Sequence, residues 1–129
     1  LDFMEHYTMA PEDNISHFQI ADASGNSAII EYIKGEMKIL RSEKSYQICS
    51  NFLIYDNPEM EGFGKDRYLA YRDYLDAHGG IIDEDTAFRL LHENHIPGDE
   101  SYSVVFNLTK KTAAVQFAPE FSVTHRYQL

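Results

Sequence analysis

Between His17 and Phe52 the chain carries four short apolar segments joined by connections only a few residues long. Phe18 and Ile20 alternate with His17, Gln19 and Ala21, a period-two pattern that predicts a strand. Asp22-Ala23-Ser24-Gly25-Asn26 has hairpin-turn chemistry, and Gly25 can take positive φ there. A second strand is predicted through Ala28–Ile33, a tight turn at Lys34-Gly35, a third strand at Met37–Leu40 and a fourth at Tyr46–Phe52. Parallel neighbours need a crossover of roughly a dozen residues, so connections this short imply an antiparallel meander.

Two helices follow an irregular segment, Leu53–Gly64, that holds Asp56, Pro58, Gly62 and Gly64. The first starts near Lys65, places Tyr68, Tyr71 or Arg72, and Leu75 at helical spacing, and stops at Gly79-Gly80 with a left-handed cap. The second has Asp83 as N-cap, Glu84 and Asp85 at the positive end of its dipole, and Ala87, Leu90 and Leu91 as its buried stripe. Pro97-Gly98 is expected to end it. Strands then return at Tyr102–Leu108 and Thr112–Phe117, turned by Lys110-Lys111, with an edge strand within Phe121–Tyr127. Runs of strands and helices, rather than strict alternation, predict an α+β fold: antiparallel sheet with two helices packed on one face. Residues 1–16 read as a polar lead-in with a short helix from Pro11.

At 129 residues the chain is one domain by length, able to bury about two-thirds of its unfolded surface. Twenty-one acidic against eleven basic side chains give a net charge of −10, which repels a phosphate backbone. Nucleic acid and anionic membranes are therefore poor partners. No apolar run reaches the ~18 residues that a membrane helix needs. Cys49 is the sole cysteine, so no internal disulfide can form, and a reducing, cytoplasmic compartment is favoured. The chain opens on Leu1 and reads as a processed product or an excised piece.

The stretch from Tyr46 to Tyr74 holds the best candidates for chemistry. Asn51, at a predicted strand end, could point its amide N–H₂ at a developing oxyanion, where one donor is worth roughly 3 kcal/mol. It also fits a loop-entry asparagine bonding its own backbone. Arg67 sits where the helix dipole slightly disfavours a cation, and could clamp a carboxylate or hold a catalytic side chain. It also fits a surface arginine among Asp66, Asp73 and Asp76. Cys49 has no adjacent base and reads as a small buried hydrophobe. On a strand it would share a face with Asn51, opposite Ile48 and Ser50. His92 and His95 are three apart but have no third ligand, which fits surface histidines better than a metal site. Asp22 reads as a turn residue. No phosphate-binding glycine loop, zinc-type cysteine spacing or nucleophile elbow is present, and no cofactor is expected.

Taken in order, four segments resemble the C-terminal part of the choloylglycine hydrolase and penicillin V acylase family. These are linear-amide C–N hydrolases of the N-terminal-nucleophile superfamily. HFQIADASGNSAIIEYIKGEMKILR resembles the family hairpin, running from His17 through Asp22, Gly25 and Ser27 to Glu31. YQICSNF resembles the strand that usually ends Thr-Asn, with Ser50 in the threonine's place. GFGKDRYLAYRDYL resembles the helix with an arginine followed by an aromatic, and ESYSVVFNLTKKTAAVQF the late hairpin.

The resemblance implies an αββα sandwich whose N-terminal cysteine is the nucleophile, with its own α-amine as general base. It implies an oxyanion-hole role for Asn51 and a place near the nucleophile for Arg67. The N-terminal cysteine and the arginine and aspartate that normally follow it are absent, and Leu1 cannot attack an amide. The expectation is thus the C-terminal portion of a larger enzyme, paired with its missing N-terminal portion or with itself, and inactive alone. A non-catalytic binding or assembly module and an acyltransferase of the same superfamily are the alternatives.

Overall fold

The computed structural model describes residues 17–96 and 101–129. The predicted lead-in with its helix from Pro11, and the Pro97-Gly98 stop, lie outside the described residues. Elements follow the order β1 (His17–Ala21), β2 (Ser27–Ile33), β3 (Glu36–Leu40), α1 (Lys65–Ala77), α2 (Glu84–Glu93), β4 (Tyr102–Asn107), β5 (Thr112–Phe117) and β6 (His125–Gln128). The fold is α+β, with two separate three-stranded antiparallel sheets, β1-β2-β3 and β4-β5-β6. Two compact units result, one built on Gly25–Leu69 and the other on Ala70–Leu129.

In the first unit β2 is central, and consecutive residues Ala28, Ile29, Ile30 and Glu31 are all buried. Neighbours in a strand point to opposite faces, so the middle of this sheet is covered on both sides. Its two hairpins are closed as their turn residues predict. Asp22 Oδ1 accepts from the Ser24 amide and hydroxyl, and Lys34 and Gly35 take φ of 52° and 80°, the doubly left-handed turn that matches strand twist. The register pairs His17 with Glu31 and Glu31 with Lys38.

The predicted fourth strand is corrected. Tyr46–Cys49 joins no ladder. Its bonds run through side chains instead: Gln47 Nε2 donates to the Leu40 carbonyl, Gln47 Oε1 accepts from Ser27 Oγ, and the Gln47 carbonyl accepts from Gln19 Nε2. Those partners come from all three strands of the sheet. A segment bonded to each of three strands crosses them and cannot pair along one.

In the second unit Ala113 and Ala114 of the central strand β5 are buried, and α2 packs against β4. Asp83 caps α2 as expected, accepting from the Thr86 amide at 2.7 Å, and that bond holds its carboxyl below the usual range. The buried stripe of α2 is Phe88 and Leu90, with Ala87 and Leu91 half-buried, so the expectation missed the residue that carries most apolar area. Gly79 (φ 62°) and the Gly80 amide, bonded to the Leu75 carbonyl at 2.7 Å, form a Schellman stop after α1. None of the α1 residues is fully buried. Its N-terminal half meets a loop residue, Tyr68 lying edge-on to Phe52 at 5.5 Å. The last strand is shorter than expected and starts at His125. Arg126 on it reaches Glu84 on α2 at 2.6 Å.

Candidate functional site

The segment that crosses the first sheet delivers Asn51 to the start of α1. Arg67, in the first turn of that helix, turns back and donates from Nη2 to Asn51 Oδ1 at 2.7 Å. Two residues sixteen positions apart in sequence thus meet directly. A guanidinium has only donors, so the atom facing it must be the amide oxygen, and the Asn51 N–H₂ must face the other way. Among the described residues nothing accepts from that N–H₂, and Asn51 is exposed. Arg67 goes to this amide and not to Asp66, Asp73 or Asp76; Asp73 is paired with Arg72 instead.

Local glycine geometry makes the meeting possible. Gly64 is buried at φ 86°, and a side chain there would overlap the Arg67 guanidinium and Ser50 Oγ. Ser50 Oγ donates to the Gly64 carbonyl at 3.0 Å, tying the asparagine's neighbour to the residue before the helix. Gly62, at φ 150°, lies against the Phe52 side chain so closely that a Cβ would clash with it. Phe52 is buried between this glycine and Tyr68. On the outer side the guanidinium lies 5.1 Å from the Phe63 ring, which is 67 % exposed. The loop itself is closed by Asn57, whose side chain donates to the Leu53 and Glu61 carbonyls and accepts from the Glu61 amide.

Beneath this arrangement lies a residue that sequence reasoning gave no role. Glu31 is 0 % exposed, and its two carboxylate oxygens accept from consecutive backbone amides, Ile54 at 2.7 Å and Tyr55 at 2.9 Å. His17 Nδ1, buried and without a hydrogen-bond partner, lies 3.6 Å from Oε1. The signal was present: an acidic residue inside the apolar run Ala28–Ile33 must find partners or forfeit several kcal/mol.

The remaining candidates separate from this site. Cys49 Sγ donates to Gln19 Oε1 at 3.3 Å, while Asn51 goes to Arg67; without a strand the expected shared face does not form. Burial, and then the negative charge of Glu31, push the Cys49 thiol up, the opposite of what a nucleophile needs. His92 stacks on Phe121 at 4.0 Å and His95 meets the same ring edge-on at 5.6 Å. Burial and then the nearby His95 push the His92 imidazole down. Among the described residues no group of three His, Cys, Asp or Glu could hold a metal ion, and no helix is long and apolar enough to cross a membrane.

No protein-family model, curated protein or solved structure matches this chain.

Proposed function

We propose that this chain is the C-terminal portion of a hydrolase of linear amide C–N bonds, similar to the choloylglycine hydrolases and penicillin V acylases. In this reading the Asn51 N–H₂ donates to the oxyanion of the tetrahedral intermediate. Arg67 holds that amide by its oxygen. The attacking thiolate is an N-terminal cysteine on polypeptide upstream of Leu1, and this chain supplies half of an αββα sandwich.

The observation that carries the reading is the Arg67–Asn51 bond. A guanidinium on the amide oxygen fixes the N–H₂ outward and withdraws electrons from it, which strengthens it as a donor. A donor fixed before the reaction loses nothing to reorganisation as charge develops, and that preorganisation is the main source of oxyanion stabilisation. Substrate is a small linear amide, such as a conjugated bile acid or the acyl side chain of a β-lactam. Whether water or an amine takes the acyl group divides the hydrolase from the acyltransferase of the same superfamily.

The test compares this chain alone with the complete protein on a panel of such amides. The chain alone should show no turnover. The complete protein should cleave at least one amide, and Asn51→Ala should lower its kcat by about 10²–10³-fold. Turnover by the isolated chain, or full activity in N51A, would refute the reading.

A second reading, a non-catalytic assembly module, is favoured by a different observation. One face of the β4-β5-β6 sheet carries Tyr102, Phe106, Phe117 and Tyr127, all 52–66 % exposed. Apolar faces of that kind mark sites of association.

A further inference from the structure

A few residues after Asn51 the chain meets the buried carboxylate of Glu31. Three residues after Asn51 the backbone amides of Ile54 and Tyr55 are both held by Glu31, one on each oxygen. Between them Phe52 is buried against Gly62 and Tyr68, so the segment is anchored on both sides of residue 53. Glu31 lies on the central strand of its sheet, paired with His17 and Lys38, and has no exposure to solvent. A carboxylate in that setting is retained only if its lone pairs are met, and here they are met by the very loop that carries the site.

We infer that Glu31 is a positioning residue for the Asn51–Arg67 pair: its carboxylate clamps the backbone at residues 54–55 to the sheet and thereby sets where the Asn51 amide stands. The inference rests on the reading of Asn51 as an oxyanion donor, but its geometry can fail separately. Glutamine is the informative replacement because it has the same shape and a single acceptor oxygen. In Glu31→Gln the amide N–H₂ must face one of the two backbone N–H groups, donor against donor, and that bond is lost.

The experiment uses the ¹⁵N-labelled chain and follows the Asn51 side-chain N–H₂ resonances, assigned by their loss in Asn51→Asp. Arg67→Ala should move them, because the acceptor loses its partner. E31Q should move the Ile54 and Tyr55 backbone amides and shift the Asn51 pair toward its position in R67A. The β4-β5-β6 resonances should stay in place. Glu31→Asp, which keeps the charge but is one methylene shorter, is read by the same criterion and should give a smaller displacement. If E31Q moves Ile54 and Tyr55 while the Asn51 pair stays, the positioning role is overturned. Loss of the folded spectrum in both Glu31 variants would also overturn it, since the carboxylate would then hold the whole fold. If R67A itself leaves the Asn51 pair unmoved, the failure lies with the donor reading of Asn51.

Discussion

A methyl group at position 64 would overlap Arg67 Nη2 and come within 2.5 Å of Ser50 Oγ, on a backbone already at φ 86°. Gly25 offers a control within the same molecule. It too has a positive φ, 91°, but nothing lies within 4 Å of where its Cβ would stand. Gly25→Ala should therefore cost only the left-handed backbone term, ~1–2 kcal/mol. Gly64→Ala should cost that and more, because Arg67 and Ser50 must both move, and the Asn51–Arg67 bond should be lost with them. Urea titration of the two variants checks the difference. Equal midpoints would mean that Arg67 has no fixed place beside Gly64. Only part of this was readable from residue types. Asn51 and Arg67 could be singled out by what an amide and a guanidinium can do, yet each had a commoner explanation as an ordinary loop or surface residue. What the structure adds is a contact between them across sixteen positions, and no local pattern encodes it. Glu31 is the converse case. A lone acid in an apolar run announced that it had partners without saying which.

At the scale of elements, hairpins and helix ends were legible because their chemistry is local: Asp22 and Gly25 close one turn, Lys34-Gly35 another, Asp83 caps α2, and Gly79-Gly80 stops α1. Tyr46–Phe52 was not. A short apolar run is equally suited to lying along a strand or crossing several, and the choice was made by Gln47, whose side chain reaches Leu40 and Ser27. The C-terminal turn of α2 shows the same limit. His92 and His95 look alike in sequence, but His92 is stacked on Phe121 with its Nε2 buried and unpartnered, and its imidazole is pushed down by burial. The unfolded chain binds a proton at His92 near pH 6.5, more readily than the folded one does. Stability from the neutral, stacked ring is thus fully present above that pH and lost as pH falls through the lower folded value. His92→Phe keeps the stack and removes the titration. The urea midpoint of the natural chain should fall between about pH 7 and about pH 5, and that of H92F should fall less. Parallel curves for the two chains would show that His92 pays no desolvation on folding.

For the whole molecule, the two sheets differ in how their faces are used. Around β2 consecutive residues are buried, whereas on β4-β5-β6 the side chains that share a face with the buried Ala113 include Phe106 and Tyr127, its cross-strand partners, and both are more than half exposed. Tyr102 and Phe117 continue that face two steps along, beyond Val104 and Val115, with ring centroids 6.4 Å apart, and His125 meets Phe117 edge-on at 5.7 Å. Aromatic pairs on a sheet are normally placed against a second layer. Under the hydrolase proposal that layer is the other half of a sandwich, and under the assembly proposal it is a partner chain. Both give the same expectation for this chain by itself. It should self-associate with rising concentration in sedimentation velocity, and Phe106→Ser with Phe117→Ser should return it to a monomer. Far-UV circular dichroism should be unchanged in the double variant, because neither side chain is in the core. The proposals divide at the next step. Adding the upstream polypeptide should make the natural chain monomeric and catalytically competent if the face belongs to a sandwich. A self-association that persists in the complete protein, without turnover, would instead assign the face to assembly. A chain that stays monomeric at every concentration would refute both uses of these aromatics.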